Sequence, residues 1–596
     1  MTRSSVRTHH GRARHGLAAL TLALCVAAPA WSADQALESA AKETQAQRGS
    51  LRPEDSGLTQ VPVDPAILAN PGPGAVLGSV GVLIDEVEPN DTVATAQALA
   101  STPVRVRGNL FKAPLAAGID VDVYSFTALA GDRVYAATMT SFSSASGDSV
   151  IDILASDGTT VLETDDQDGT ISASASNVGF TLLPTAGTYY VRVRQFGTTL
   201  GGRITPYDVY VHVQSGTPTA EVEPNDATPQ PLPASGWVSG VINPAADADL
   251  FSVTANAGDT IVAILDLDPE RDAPDWNGRV GIGNFNNFVL VTGDAGTFDT
   301  IPSEALMMTA KTSGTYIVYV LEQVAGVGNP LATYTLSVAV IPARARNCTT
   351  YTGVAGPITD LGTTDFTVAV PDAGIIDYLR LTLNATHPAT ADLDITLISP
   401  DGNEVFLTDD PGTTAAAAAP QINFTLEDEA GIPVALFGIH SGMNYTPELA
   451  GRMEYFKGMQ AQGTWTLRVR DDLTANVGTV NSWSLDVCPV APRPGCAVPG
   501  PAENTVYTSD FEANDGGFTH AGALDEWERG LPAFAPITTA HSGTNAWKSD
   551  LDNTYDPLAN NDLISPAIDL TGVTGRITLN FWQKYQMETA SFDLYW

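Results

Sequence analysis

The sequence predicts an all-β protein made of tandem antiparallel β-sandwich and jelly-roll modules, and three observations carry that prediction. From Asp85 onward, apolar and polar residues alternate in short runs. Examples are Asp122-Val-Tyr-Ser-Phe-Thr-Ala128, Arg133-Val-Tyr-Ala-Ala-Thr138 and Thr188-Tyr-Tyr-Val-Arg-Val-Arg194. This is the period-two pattern of half-buried strands. Gly-Asp, Asp-Gly and Ala-Gly pairs separate the runs, as turns between antiparallel strands require. The pattern then restarts. Ala130-Gly131-Asp132-Arg133-Val134 answers to Ala257-Gly258-Asp259-Thr260-Ile261, and Ala186-Gly187-Thr188-Tyr189-Tyr190 to Ser313-Gly314-Thr315-Tyr316-Ile317. Residues 85–215 and 220–342 therefore form an internal duplication.

Composition bounds the class. A chain of 596 residues has room for about four domains. It carries 29 Lys+Arg against 68 Asp+Glu, a formal net charge of −39. Such a charge argues against a nucleic-acid backbone as partner and fits cation binding and solubility outside the cell. Hydrophobic residues make up 43%, too many for a disordered acidic polymer.

The N-terminus reads as a secretory signal. Arg3, Arg7, Arg12 and Arg14 form a basic start, and Leu17 to Ala28 is an apolar core too short for a stable membrane span. Cleavage is expected near Ala33. Cys25 lacks the small preceding residue of a lipoprotein signal, so the expectation is a free secreted or periplasmic protein with no membrane span. Residues 34–84, rich in Ala, Gln, Pro and Gly, read as a linker with a short helix around Gln35–Gln47. Of the remaining cysteines, Cys348 and Cys488 bracket one candidate domain, and an oxidising compartment permits a bridge between them. Cys496 is left to compete with Cys488 or to pair outside the chain.

Each duplicate opens on the same acidic phrase, Glu86-Val-Glu88-Pro-Asn90-Asp91 and Glu221-Val-Glu223-Pro-Asn225-Asp226. Each phrase is followed by an Asp-x-Asp pair entering an apolar strand, Asp120/Asp122 and Asp247/Asp249. Four oxygen ligands on an extended stretch and two from a neighbouring strand make about the six to eight that calcium takes. Like charges so placed repel unless a cation neutralises them. Each unit thus reads as a calcium-clipped β-module.

These two units resemble the bacterial pre-peptidase C-terminal domain, a jelly-roll-like sandwich found beside secreted peptidases. The resemblance implies calcium ligation by Glu86, Glu88, Asn90, Asp91, Asp120 and Asp122, and by Glu221, Glu223, Asn225, Asp226, Asp247 and Asp249. The second copy departs after Asp266, where Pro269 to Asn287 reads as an inserted loop.

Residues 348–489 carry Ala391-Asp392-Leu393-Asp394-Ile-Thr-Leu-Ile-Ser-Pro400-Asp401-Gly402, then Gly463-Thr-Trp465-Thr-Leu-Arg-Val-Arg-Asp471, then Gly478-Thr-Val-Asn-Ser-Trp483. Three blocks in this order resemble the P/Homo B domain that follows the catalytic domain of kexin- and furin-like proteases. The resemblance implies a stabilising sandwich without a nucleophile. Asp392, Asp394 and Asp471 are further candidate metal ligands, against strand-end hydrogen bonding as the plainer role. Trp465 and Trp483 read as core.

After a linker at 490–506, residues 507–596 hold Asp510-Phe-Glu512, Ala540-His-Ser-Gly-Thr-Asn-Ala-Trp547 and Leu563-Ile-Ser-Pro-Ala-Ile-Asp-Leu570. These resemble the MAM-like jelly roll of secreted adhesive proteins and metallopeptidases. The run ends inside an apolar stretch at Trp596, which would leave a sheet edge unpaired, so the chain is expected to continue.

The peptidase association calls for a catalytic centre, and none is legible. No His-Glu-x-x-His and no Gly-x-Ser-x-Gly occurs. His212 lies mid-strand and reads as structural. His440-Ser441 and His541-Ser542 are adjacent, and neighbours in a strand face opposite ways, so neither is a ready dyad. The expected function is that of a secreted non-catalytic Ca2+-binding protein. It would bind extracellular protein, glycan or cell-surface targets, or stabilise a peptidase domain. Two alternatives stand beside it: part of a secreted serine endopeptidase whose catalytic domain lies elsewhere, and a surface adhesin.

Overall fold

The computed structural model describes most of residues 72–490 and 505–570, with the short strands Arg7–Gly11, Ala23–Leu24 and Phe581–Tyr585. The rest of the expected signal peptide, residues 34–71 of the expected linker, Cys496, His440, His541 and Trp596 lie outside the described residues. Among the described residues the elements are strands, with 3-10 turns at Thr390–Asp392 and Met453–Phe456. Among the described residues no helix is long and apolar enough to cross a membrane. The chain divides into two compact units, residues 49–400 with 405–490, and residues 1–48 and 401–404 with 491–596.

In the larger unit the alternating runs become two facing five-stranded sheets. One orders Asn177–Leu182, Arg133–Met139, Ile204–Gln214, Val104–Leu110 and Val82–Asp85. The other orders Gln97–Ala98, Val121–Ala128, Gly187–Gln195, Ser149–Leu154 and Val161–Asp165. Their inward residues, among them Val106, Tyr124, Phe126, Ile151, Val191 and Val209, close one core.

The second copy repeats this plan. Ala248–Ala255, Gly314–Glu322 and Gly278–Gly283 pair in the order of their counterparts in the first copy. The supposed inserted loop therefore contains a regular strand. Its sequence, Gly278-Arg-Val-Gly-Ile-Gly283, hides it, since three glycines remove the β-branched signal. Trp276, 3% exposed, anchors its entry by donating to the Leu267 carbonyl at 3.1 Å.

The facing sheet of this copy does not stop at its own edge. Ser303–Ala310 pairs with Ser441–Tyr445, so one sheet runs from Trp237–Val241 through Thr333–Ile341 and Thr260–Asp266 into Gln421–Leu426, Ile376–Thr386 and Thr479–Pro489. The pairing covers the exposed backbone that an edge strand would offer to other chains. A four-stranded sheet, Gly362–Val370, Gly463–Asp471, Leu393–Ile398 and Glu404–Thr408, lies within the same sandwich region. Trp465 and Trp483 are buried as expected, donating to the Ala461 and Val354 carbonyls. Cys348 and Cys488 form a disulfide.

The end of the expected linker is built in rather than loose. Ala75 exchanges backbone bonds with Ser252 and Thr254, and Gly78 donates to the Ala234 carbonyl at 2.7 Å.

A buried charge cluster joins the first sandwich to its neighbours. Arg105, 1% exposed, donates to Asp208 Oδ2, Thr260 Oγ1 and the Glu429 carbonyl. Arg107 donates to Asp208 at 2.9 Å and to the Asp428 carbonyl. Burial pushes the Asp208 carboxyl up, but the two guanidiniums outweigh it and hold it below the usual range. Arg344 and Arg346 both grip Glu429.

In the smaller unit, Thr519–Ala523 pairs with Asn560–Ile564, and Trp527–Gly530 with Ala546–Ser549. Glu512 accepts from Thr544 N and Asn545 N and ties the loop at 543–545 to the bend at 511–514.

Asp208→Asn leaves two buried guanidiniums short of a counter-charge and is expected to cost roughly 3–5 kcal/mol in urea unfolding. His212 is buried, bonds Ser337 Oγ at 3.0 Å, and is lowered by burial to about 3. Its stabilising contribution is full above the unfolded value of about 6.5 and is lost as the pH falls toward 3. His212→Gln should therefore flatten the acid limb of Tm against pH.

Candidate functional site

Each acidic phrase is an extended segment fixed to its sandwich by backbone bonds. Glu86 N donates to the Arg107 carbonyl, and Val123 N donates to the Asn90 carbonyl at 3.0 Å. Glu221 N donates to the Ser239 carbonyl in the same way. The Glu88–Pro89 and Glu223–Pro224 bonds are both cis. The Asp-x-Asp pairs enter Val121–Ala128 and Ala248–Ala255, and the period of two turns Asp122 and Asp249 inward at 0% exposure.

The result is two sites of one design. In the first, Glu86, Glu88 and Asp122 bring carboxylate oxygens within 4.8 Å of one another. In the second, Glu221, Glu223 and Asp249 do the same, and Glu223 is shared with a further group, Asp226 and Asp247. Asp91 and Asp120, also expected as ligands, fall outside the three-carboxylate group of the first copy, although Asp120 is itself buried.

The amides between these acids matter as much as the acids. Asn90 is 0% exposed, and one face of its amide meets Asp122 Oδ1 at 3.1 Å and Glu88 Oε2 at 3.3 Å. With the amide oxygen on that face, acceptors meet acceptors, an arrangement a cation resolves. With the amide turned, its N–H groups resolve it instead. Asn225 is 1% exposed and has no partner for either side-chain polar atom; Asp249 Oδ1 is likewise buried and unpartnered. Buried polar atoms without partners are rare enough to need a reason. The donor set is all oxygen, the hard type that calcium takes, so these residues fit such an ion.

Electrostatics point the same way. Burial raises Asp122 well above the usual carboxylate range, and the Glu86 charge raises it further. Burial likewise raises Glu86. Asp249 is raised by burial and by its contact with Glu221, and burial raises Glu221 in turn. Each site therefore favours a proton or a cation.

Sequence reasoning missed two members of each site. Tyr207 Oη donates to Asp122 Oδ2 at 2.5 Å and meets Tyr124 Oη at 2.6 Å. Tyr334 Oη lies 2.6 Å from Asp249 Oδ2 and 2.9 Å from Glu221 Oε2. Gly108 and Gly240 make room for them. A Cβ on Gly240 would lie 2.1 Å from Glu221 Oε2 and 2.3 Å from Tyr334 Oη. The signal was present in the last strand of each repeat, Tyr207-Asp-Val against Tyr334-Thr-Leu, but its distance from the acidic phrase hid the connection.

The remaining candidates part company. Asp392 and Asp471 come together with His387, whereas Asp394 pairs with Arg470 at 2.6 Å.

Comparison with known proteins agrees with this architecture. Residues 376–487 match the proprotein convertase P-domain, and residues 120–195 match the bacterial pre-peptidase C-terminal domain. The chain thus carries both domains, which are typical of the accessory regions of secreted bacterial peptidases. An 88-residue stretch is 32% identical to Bacillopeptidase F of Bacillus subtilis, covering 15% of this chain and 6% of that protein. Among solved structures, the Aeromonas sobria serine protease in complex with its chaperone is similar, at 16% identity over 24% of this chain and 28% of that one (TM-score 0.17). So is a periplasmic inhibitor of g-type lysozyme from Aeromonas hydrophila, at 16% identity over 24% of this chain and 99% of that one (TM-score 0.14).

Because burial raises these carboxyls above their unfolded values, the metal-free chain gains most from them where they are protonated. It loses that stability as the pH rises from about 4 upward. A cation needs the deprotonated forms, so the Tm gain from calcium should be larger at pH 8 than at pH 5. Tyr334→Phe removes a donor from buried carboxylates and should cost the chelator-treated chain about 1–3 kcal/mol in urea unfolding.

Proposed function

We propose that this chain is a secreted, non-catalytic, calcium-braced accessory region of an extracellular peptidase system. Its sandwiches would stabilise a peptidase domain or dock it on extracellular protein, glycan or cell-surface material. The observation that carries this reading is the acidic site built twice, with the same glutamates, asparagine, aspartate, glycine and tyrosine, on domains of the kind that accompany secreted peptidases. Bound calcium would clip the segment Glu86–Asp91 or Glu221–Asp226 onto its sandwich and turn metal affinity into folding free energy. A clipped, ordered segment between sandwiches resists proteases outside the cell.

Thermal unfolding of the whole chain in calcium and in chelator tests this. The whole chain is the appropriate sample, because Ser303–Ala310 relies on Ser441–Tyr445 for its outer partner. Calcium should raise Tm by several degrees, since about 1 kcal/mol moves the Tm of a large domain by roughly 2–4 °C. The rise should vanish in the double variant Glu88→Ala/Glu223→Ala. An unchanged Tm together with no heat of calcium binding would end this reading.

A further inference from the structure

Apart from the two repeated sites, one more buried group of side chains among the described residues could hold a metal ion, and its chemistry differs. His387 follows the strand Ile376–Thr386, Asp392 ends the 3-10 turn Thr390–Asp392, and Asp471 ends the strand Gly463–Asp471. The three are 0%, 2% and 1% exposed, and their ligand atoms lie within 4.8 Å of one another.

His387 Nε2 is 3.3 Å from Asp471 Oδ2. Two atoms bound to one tetrahedral zinc ion at its usual bond lengths stand about 3.4 Å apart. On the other side of the ring, Nδ1 meets the Ala389 carbonyl in one tautomer and accepts from Ala389 N at 3.3 Å in the other. A proton on Nδ1, donated to that carbonyl, leaves the Nε2 lone pair pointing at the carboxylate. Metal-binding histidines are commonly oriented by such a backbone partner. Gly478 packs against the ring, since a Cβ there would lie 2.3 Å from His387 Cδ2. Asn476 Nδ2 donates to Asp392 Oδ2 at 2.9 Å and orients that carboxylate from outside.

A second observation points to a ligand. Thr390 Oγ1, on the same turn as Asp392, is buried without a hydrogen-bond partner, and Asp471 Oδ1 has none of good geometry, although the Leu473 amide lies beside that carboxylate. Arg470, beside Asp471 in sequence, spends its guanidinium on Asp394 and Asp472 instead.

We propose that His387 Nε2 with the carboxylates of Asp392 and Asp471 binds one transition-metal cation of the zinc class. Calcium takes oxygen ligands, so an imidazole in the set selects against it, whereas a nitrogen and two carboxylates suit zinc and its neighbours. Three protein ligands leave one position for water or Thr390 Oγ1. The ion would pin the end of a strand from one sheet to a turn that follows a strand of the other.

Cobalt(II) is the probe, because its visible ligand-field bands report nitrogen and oxygen coordination while calcium is silent. The full chain, stripped with chelator, should take up about one equivalent of cobalt with these bands and release it to zinc but not to excess calcium. His387→Gln and Asp471→Asn should lose the bands, and Glu88→Ala/Glu223→Ala should keep them. A folded wild-type chain without cobalt bands overturns the proposal. So do bands that survive in His387→Gln or that calcium abolishes. If the variants do not fold, the zinc and calcium competition on the wild-type chain still decides.

Discussion

A buried carboxylate must have its charge answered, and the way each is answered organises this molecule. Asp122 and Asp208 show the contrast within one sandwich, since both are 0% exposed. Asp208 meets Arg105 and Arg107 and stays ionised. Asp122 meets a tyrosine hydroxyl and another carboxylate, so burial and repulsion raise it instead. A guanidinium makes a closed, permanent joint. A phenol, an amide and backbone N–H groups leave the charge partly unanswered, and the site remains receptive to something from solution.

The duplication shows which parts of that receptive arrangement travel together. Glu86 accepts from Asn109 N and Glu221 from Val241 N, both at 2.7 Å. Glu88 and Glu223 accept from Asn90 N and Asn225 N. Gln97 and Gln230 brace the residue after the first glutamate. What differs is that Asp226 and Asp247 draw together with Glu223 in the second copy, whereas their counterparts Asp91 and Asp120 form no such group with Glu88 in the first.

Much of this was legible in the sequence where the chemistry is local. The acidic phrase is contiguous, its Asp-x-Asp partner sits on a strand of plain period two, and the repeats set each against the other. Tyr207 and Tyr334 were not legible, because their contact with the carboxylates depends on strand order and not on spacing. His387 had no signal either: a lone histidine in Ala-Thr-His-Pro meets Asp471 only when two sheets face each other. The strand Gly278–Gly283 was obscured by its glycines. The pairing of Ala310 with Met443 has no local trace, since backbone hydrogen bonds between edges place no demand on residue type.

That pairing makes the chain's modules unlike beads on a thread. A recombination event that cut at residues 343–347, where the sequence invites it, would separate two strands that share a hydrogen-bonded ladder. Each fragment would carry away a raw edge. The second sandwich and the P-domain are thus one folded piece, joined by a common sheet.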